Sequence, residues 1–292
     1  MRIGVISNIK REGSDDAIRI ILDWARSTGH EIVASPDLEH MRSDELDIGS
    51  LQQVTADSDI VVSMGGDGTY LASVRAVGAT GTPLLGINLG SLGFLTQLTP
   101  EELPAALDAI TRGQYRVEER MMLEVSTGGK HRLESPYALN DVVVDNGPIS
   151  RIIDIDLTVN GEPIVTYRAD GLIISTPTGS TAYSLACGGP IMNPSMDGII
   201  CTPISPFSLS VRPMIFAASD VLQMRVRSEH EVAGLTLDGQ VMAPLVDTDV
   251  ITVRRASFRT RFIVFPGNSS FYKVLKKKLH WGIVPSARGD ED

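Results

Sequence analysis

Residues 61–74 read VVSMGGDGTYLASV. An apolar run of the kind found in buried parallel strands ends in three glycines, Gly65, Gly66 and Gly68, set around one carboxylate, Asp67. A helix-like segment follows at once. Glycines at such a turn leave backbone N–H groups uncovered, and the start of a helix favours an anion such as phosphate. Asp67 does not suit a simple phosphate cradle, because its charge repels phosphate. Either it serves a chemistry, accepting a proton from an attacking hydroxyl or meeting a magnesium-bound nucleotide, or it caps a helix over residues 70–77.

The flanking segments alternate in the same way. RIGVIS (2–7), EIVAS (31–35), DIVVSM (59–64) and TPLLGIN (82–88) read as strands. Between them SDDAIRIILDWARSTG (14–29) reads as a helix, with Ser14 as N-cap, Ile18, Ile21, Leu22 and Ala25 at helical spacing, and Gly29 just past the end. A further helix-like stretch is IGSLQQVTA (48–56). TPEELPAALDAITRG (99–113) opens with Thr99 as N-cap, Pro100 at the first helical position and Glu102 placed for a capping box. Strands alternating with helices predict a parallel sheet covered on both faces.

Beyond residue 115 the pattern changes. RIIDIDLTVNGEPIVTYR (151–168) alternates apolar and polar residues and places Asn160–Gly161 at a hairpin turn. AGLTLDGQVMAPL (233–245) repeats the device at Asp238–Gly239, and DVITVRR (249–255) and RFIVF (261–265) read as two more strands. The expected organisation is an α/β domain over 1–115, a β-rich domain of two packed sheets over 116–265, and a C-terminal segment over 266–292. In that segment SSFYKVLKKKLHW (269–281) is amphipathic, with Phe271, Val274 and Leu275 on one side and Lys276–Lys278 on a solvated face. SARGDED (286–292) reads as a loose tail.

A net charge of −10 excludes a general nucleic-acid or anionic-membrane surface, since both require a basic footprint. A small anionic ligand needs only local positive charge. No leader-like segment opens the sequence and no apolar run approaches the length of a membrane span. Cys187 and Cys201 form neither a disulfide framework nor a metal spacing. The expectation is a soluble cytoplasmic protein. His30, His40, His131, His230 and His280 are scattered and read as surface or packing residues.

A second glycine-containing stretch, DGLIISTPTGSTAYSLACGGPI (170–191), follows a buried strand with five hydroxyls in nine residues: Thr176, Thr178, Ser180, Thr181 and Ser184. Around Gly179 such a segment can wrap a phosphate or ribose with neutral donors. Arg168, two residues before Asp170, is a candidate for nearby positive charge.

GGDGT (65–69), GINLGSLGFLT (86–96), LND (139–141) and DGLIISTPTGSTAYSL (170–185), in this order and spacing, resemble the signature blocks of bacterial NAD kinases. The resemblance extends to FYKVLKKKLHWG (271–282) and so covers nearly the whole chain. GGDGT alone is shared with diacylglycerol and sphingosine kinases, whereas TPTGSTAYS is specific. The resemblance implies a Rossmann-like α/β domain followed by a β-sandwich, with the chain's end packing back on the first domain. It implies transfer of a phosphate from ATP to the adenosine ribose 2′-hydroxyl of NAD, with magnesium brought by ATP and no tightly bound organic cofactor. By the same resemblance Asp67 is the proton acceptor, and Gly65, Gly66, Gly68 and Thr69 form the phosphate loop. Gly68, Asn140, Asp141, Arg151, Arg168, Asp170, Thr181, Ala182, Tyr183, Ser184, Leu185, Ala186 and Gln240 form the dinucleotide site. Assembly as a homodimer or homotetramer is also implied. Two positions depart from the family pattern: Asp141 stands where glutamate is usual, and Cys187 where alanine is usual. The rival readings are a lipid kinase sharing GGDGT and a nucleotide sensor without turnover.

Overall fold

The computed structural model describes residues 1–44, 46–90, 93–96, 98–128, 133, 135–147, 151–227, 233–246, 249–266 and 271–279. The first part runs β1 (Arg2–Ser7), α1 (Ser14–Thr28), β2 (Glu31–Ala34), β3 (Asp47–Ile48), α2 (Leu51–Ala56), β4 (Ile60–Gly65), α3 (Asp67–Val77), β5 (Leu84–Asn88) and α4 (Leu103–Thr111). Its strands are all parallel and lie in the order β5-β4-β1-β2-β3. α1 packs with α4 and α2 with α3, and separate apolar clusters cover the two faces of the sheet. Consecutive strands therefore leave β1 in opposite directions. The gap between β1 and β4 is the topological switch point, where open α/β sheets bind ligands at the carboxyl ends of the strands.

The caps agree with the sequence at Gly29 and at Thr99 and differ at two helices, and α2 adds one the sequence reading did not single out. Gly29 closes α1 in the left-handed region at φ 72°, with its N–H on Ala25 O at 2.8 Å. Ser50 and Gln53 form a capping box at α2, and Thr99 and Glu102 form another before α4. At α1, however, Gly13 is the N-cap and Ser14 the first helical residue; its buried hydroxyl meets that of Ser7 at 2.8 Å. At α3, the helix starts three residues before the expected 70–77 and Gly66 is the N-cap.

The second part is almost entirely strand: β6 (Arg116–Thr127), β7 (Tyr137–Ala138), β8 (Asp141–Asp145), β9 (Ile153–Val159), β10 (Glu162–Ala169), β11 (Gly171–Ser175), the four-residue α5 (Tyr183–Ala186), and β12 (Ile199–Ile204). β13 (Met214–Phe216), β14 (Leu222–Arg227), β15 (Ala233–Leu237), β16 (Val241–Leu245), β17 (Val250–Val264) and α6 (Phe271–Leu279) follow. A six-stranded sheet, β13-β12-β11-β8-β15-β16, packs on β10-β9-β14-β17 with β6, and alternate residues of both fill one core. Both predicted hairpin turns form. Asn160 and Gly161 have φ 51° and 85°, and Asp238 and Gly239 have φ 50° and 65°, the left-handed pair such two-residue turns require.

DVITVRR and RFIVF are not two strands. They are the ends of β17, whose register with β6 shifts between Arg255 and Arg259. The first half of β17 lies between β14 and β6, and farther along Phe262 stands opposite Leu84 of β5. One long strand thus joins the parallel sheet to one layer of the sandwich, giving a continuous sheet of eleven strands. Tyr70 of α3, 2% exposed, meets Phe262 edge-on at 5.0 Å across this junction. Burial of one large apolar side chain stabilises by roughly 1.5–3 kcal/mol. In α6, Val274 and Leu275 are buried and Lys276–Lys278 exposed, as the pattern predicts. His131, His230, His280 and SARGDED lie outside the described residues.

Candidate active site

The turn after β4 shows why its glycines are needed. A Cβ on Gly65 would stand 2.3 Å from Thr69 Oγ1. Asp67 occupies the first turn of α3, yet its carboxylate does not cap that helix. It turns instead into the loop after β5. Oδ1 accepts the N–H groups of Leu95 (3.1 Å) and Thr96 (3.3 Å) and the Thr96 hydroxyl (3.4 Å), and Oδ2 accepts the Phe94 N–H (2.9 Å). A Cβ on Gly93 would fall 2.0 Å from Oδ1, so GFLT (93–96) is a cage built around this carboxylate. The cap alternative is thereby excluded. Oδ1 is crowded by three donors, whereas Oδ2 takes only the Phe94 N–H and so retains acceptor capacity for an incoming hydroxyl.

Asp67 faces a cleft of about 430 Å³ between the two parts of the chain, lined also by Phe94, Asn140, Thr181, Ala182 and Phe265. Phe271 and Val274 of α6 line it together with Leu85 and Leu98 of the first part. A second hollow of about 350 Å³ adjoins it, lined by Asp141, Asp145, Tyr183 and Asp238 among others. Asn140 and Ala182 line both.

The LND segment is held by backbone. Asp238, in the hairpin turn, accepts the N–H groups of Leu139 (3.0 Å), Asn140 (2.7 Å) and Asp141 (3.1 Å). On its other side Asn140 O accepts the Thr176 N–H at 2.9 Å, and a Cβ on Gly179 would lie 2.0 Å from that oxygen. TPTGS therefore folds directly onto Asn140.

This packing uses most of the hydroxyls. Thr176 donates to Leu139 O, Ser180 accepts the Met192 N–H at 3.0 Å, and Ser184 pairs with Thr202 at 2.8 Å. Thr176, Thr178, Ser180 and Ser184 are all buried. Thr181, half-buried, and Thr178, buried with its Oγ1 unpartnered among the described residues, both line the cleft, as the donor-array reading requires. The segment is chiefly a scaffold that presents Thr181, Ala182 and Tyr183.

Other expected residues fall into two groups. Gly68 and Gln240 meet: Gln240 Nε2 donates to Gly68 O at 2.8 Å. Asp170 lines neither cavity, but its carboxylate contributes with Asp145 and Asp141 to raising the Tyr183 phenol, after burial and Cys187. Arg151, Arg168, Leu185 and Ala186 also line neither cavity, and Ser184, on the inner face of α5, is buried against Thr202. Arg168 alternates with the buried Tyr167 and Ala169 on β10 and so projects from the outer face of that strand.

Positive charge comes from a residue the sequence did not single out. Arg11, in the loop after β1, lies across the switch point from the GGDGT turn. A Cβ on Gly66 would be 3.8 Å from its Nη2, and one on Gly90 would be 3.4 Å from its Nη1. Arg11 is exposed, and among the described residues no carboxylate pairs with it. The second hollow is acidic. Burial and the neighbouring Asp238 push Asp141 up to about 7, partly offset by the Tyr183 N–H. Burial also raises Asp238, against its three N–H donors and Arg75. Cys187 is raised by burial and by Asp141, so its thiol stays protonated.

Comparison with known proteins agrees with this layout. The ATP-NAD kinase N-terminal domain pattern matches residues 3–115 and the C-terminal domain pattern matches residues 139–265. An NAD kinase of Geobacter metallireducens is 47% identical over 226 residues, covering 77% of this chain and 80% of that protein. The crystal structure of yeast NADH kinase complexed with NADH superposes with a TM-score of 0.88 at 26% identity, covering 100% of this chain and 90% of that one. An NAD kinase from Archaeoglobus fulgidus in complex with ATP gives a TM-score of 0.75 at 25% identity, covering 96% and 99% of the two chains. Nothing in these comparisons supports a lipid kinase. Similarity that spans both halves of the fold, in chain order, makes this chain a member of the ATP-NAD kinase family.

Proposed function

We propose that the protein transfers the γ-phosphate of ATP to the 2′-hydroxyl of the adenosine ribose of NAD, producing NADP. The observation that carries this reading is the caged Asp67, whose Oδ2 has an acceptor site left over and faces a cleft shared with Asn140. The ribose hydroxyl donates its hydrogen bond to Oδ2, which takes the proton as the oxygen attacks phosphorus. Phosphoryl transfer has a loose transition state, so rate comes from alignment and charge neutralisation. The uncovered N–H groups at the start of α3 and the Arg11 guanidinium meet the donor's phosphates from opposite sides of the switch point. Asn140, Asp141 and the backbone around Ala182–Tyr183 grip the dinucleotide. NADH and ATP occupy the yeast and A. fulgidus relatives respectively, in keeping with two nucleotide subsites.

Among the described residues no group of three or more His, Cys, Asp or Glu forms a metal cage. Magnesium fits as an ion carried by the triphosphate, where it neutralises charge and keeps several waters. No helix among the described residues is long and apolar enough to cross a membrane. A cytoplasmic homodimer or homotetramer remains the reading that accompanies the family resemblance, and sedimentation of the full chain tests its assembly.

The chemical test is the position of the new phosphate. Phosphorus NMR of the product should match NADP, and NAD lacking the adenosine 2′-hydroxyl should inhibit without being phosphorylated. Phosphate on the 3′ oxygen or on the nicotinamide ribose would overturn the acceptor pose. For the donor side, Arg11→Ala should raise the ATP KM by roughly tenfold or more, the worth of a charge-assisted hydrogen bond, while the NAD KM holds.

A further inference from the structure

We propose that Arg75 is a positioning residue that ties the base-bearing helix to the dinucleotide cradle through Gln240 and Asp238. The proposal rests on the kinase reading above. Gly68 and Arg75 are seven residues apart on α3 and so lie on one face, two turns from each other. Helical side chains lean toward the N-terminus, which sends the Arg75 guanidinium back along the helix toward Gly68. There Nη2 donates to Gln240 Oε1, and Gln240 Nε2 donates to Gly68 O at 2.8 Å. The same guanidinium places Nη1 3.4 Å from Asp238 Oδ2, with the two side chains only 11% and 0% exposed.

Asp238 is also the acceptor for the N–H groups of residues 139–141. One planar group therefore holds two residues of a hairpin turn. One of those contacts the turn beside Asp67, and the other fixes the backbone of Asn140, which lines both cavities. Asp67 and Asn140 belong to different parts of the chain, and their separation must be right for the acceptor hydroxyl to meet the base. A fork of several fixed donors can serve two acceptors at once, whereas an ammonium group offers a point charge without that planar geometry.

Steady-state kinetics of full-length Arg75→Met, Arg75→Lys and Gln240→Ala, with NAD and ATP varied separately, test the inference. Arg75→Met should raise the NAD KM and lower kcat, each by about tenfold, and leave the ATP KM within about twofold. Arg75→Lys should fall between it and the parent protein. Gln240→Ala, which removes no buried charge, should raise the NAD KM several-fold, and adding it to Arg75→Met should do little more. Hydrogen exchange at the amides of residues 139–141 should quicken in both Arg75 variants, a readout independent of turnover. A merely structural arginine would lower the melting temperature and the active fraction with both KM values unchanged, and that result overturns the proposal. So does an NAD KM and amide protection at the parent level in Gln240→Ala and Arg75→Lys, whether or not Arg75→Met folds. Failure of the parent protein to form NADP would instead defeat the kinase reading, while amide protection would still decide the clamp.

Discussion

Asp67 and Asp141 are both aspartates at the mouth of one site, yet their surroundings are opposites. Asp67 is met by four donors from a single loop, and Gly93 makes the room. Asp141 is 5% exposed, has a second buried carboxylate beside it, and is helped by the Tyr183 N–H. The first is fixed in place by hydrogen bonds that leave one acceptor site open. The second is held in a pocket that disfavours its charge. A site that binds two anionic substrates thus keeps one carboxylate where a proton must be taken, and lets the other shed its charge near neutral pH.

Asp67→Asn should break this contrast most severely. It removes the proton acceptor and sets an amide NH₂ against donors that expect oxygen, so turnover should fall by roughly 10²-fold or more. Turnover close to that of the parent protein would remove Asp67 from the reaction. Gly93→Ala tests the cage without touching the base. Its methyl would need the space now held by Oδ1, and a displacement of about 1 Å can cost up to ~10²-fold in rate, so a loss of kcat with both KM values nearly intact is expected.

Asp141 should respond to pH instead. Its folded value of about 7 exceeds the ordinary 3.8, so the folded protein keeps a proton that the unfolded chain has released. Stability contributed by the protonated group is complete below the unfolded value and is lost as pH rises toward 7. Asp141→Asn should therefore gain stability over the parent protein across that window, with a slope approaching about 1.4 kcal/mol per pH unit, and level off above it. Denaturant melts at several pH values would show it, and parallel curves would refute it. If the ionised form holds a ribose hydroxyl, the NAD KM of the parent should fall as pH passes 7, and that trend should vanish in Asp141→Asn.

Much of this was legible in the residues, for local reasons. GGDGT announced a strand, a turn and a helix because each is set by neighbouring residues, and NG and DG announced hairpins because only a left-handed pair closes them. Asp67 stands out in the sequence, but its cage does not, since the partners lie 27 to 29 residues away and donate through backbone that carries no residue signature. Side-chain direction in an irregular segment has no period, which is why the inward turn of Thr176, Ser180 and Ser184 could not be read. Asp238 read only as half of a turn, although its carboxylate organises LND. Arg11 lacked any local cue, because its place opposite Gly66 follows from strand order. β17 looked like two strands because its irregular register interrupts the alternation.

That strand has a consequence for how the molecule can be divided. The N-terminal pattern ends at residue 115, as though the first half were a module that could be moved or expressed by itself. Its sheet, however, ends in β5, LLGIN, a fully buried and uncharged strand whose far side is met by Phe262 of β17, 178 residues after its partner Leu84. Cut free, that half would display an uncharged apolar sheet edge, the kind of surface on which chains stack and aggregate. Evolution can exchange surface loops in such a protein, but the two halves must be inherited together.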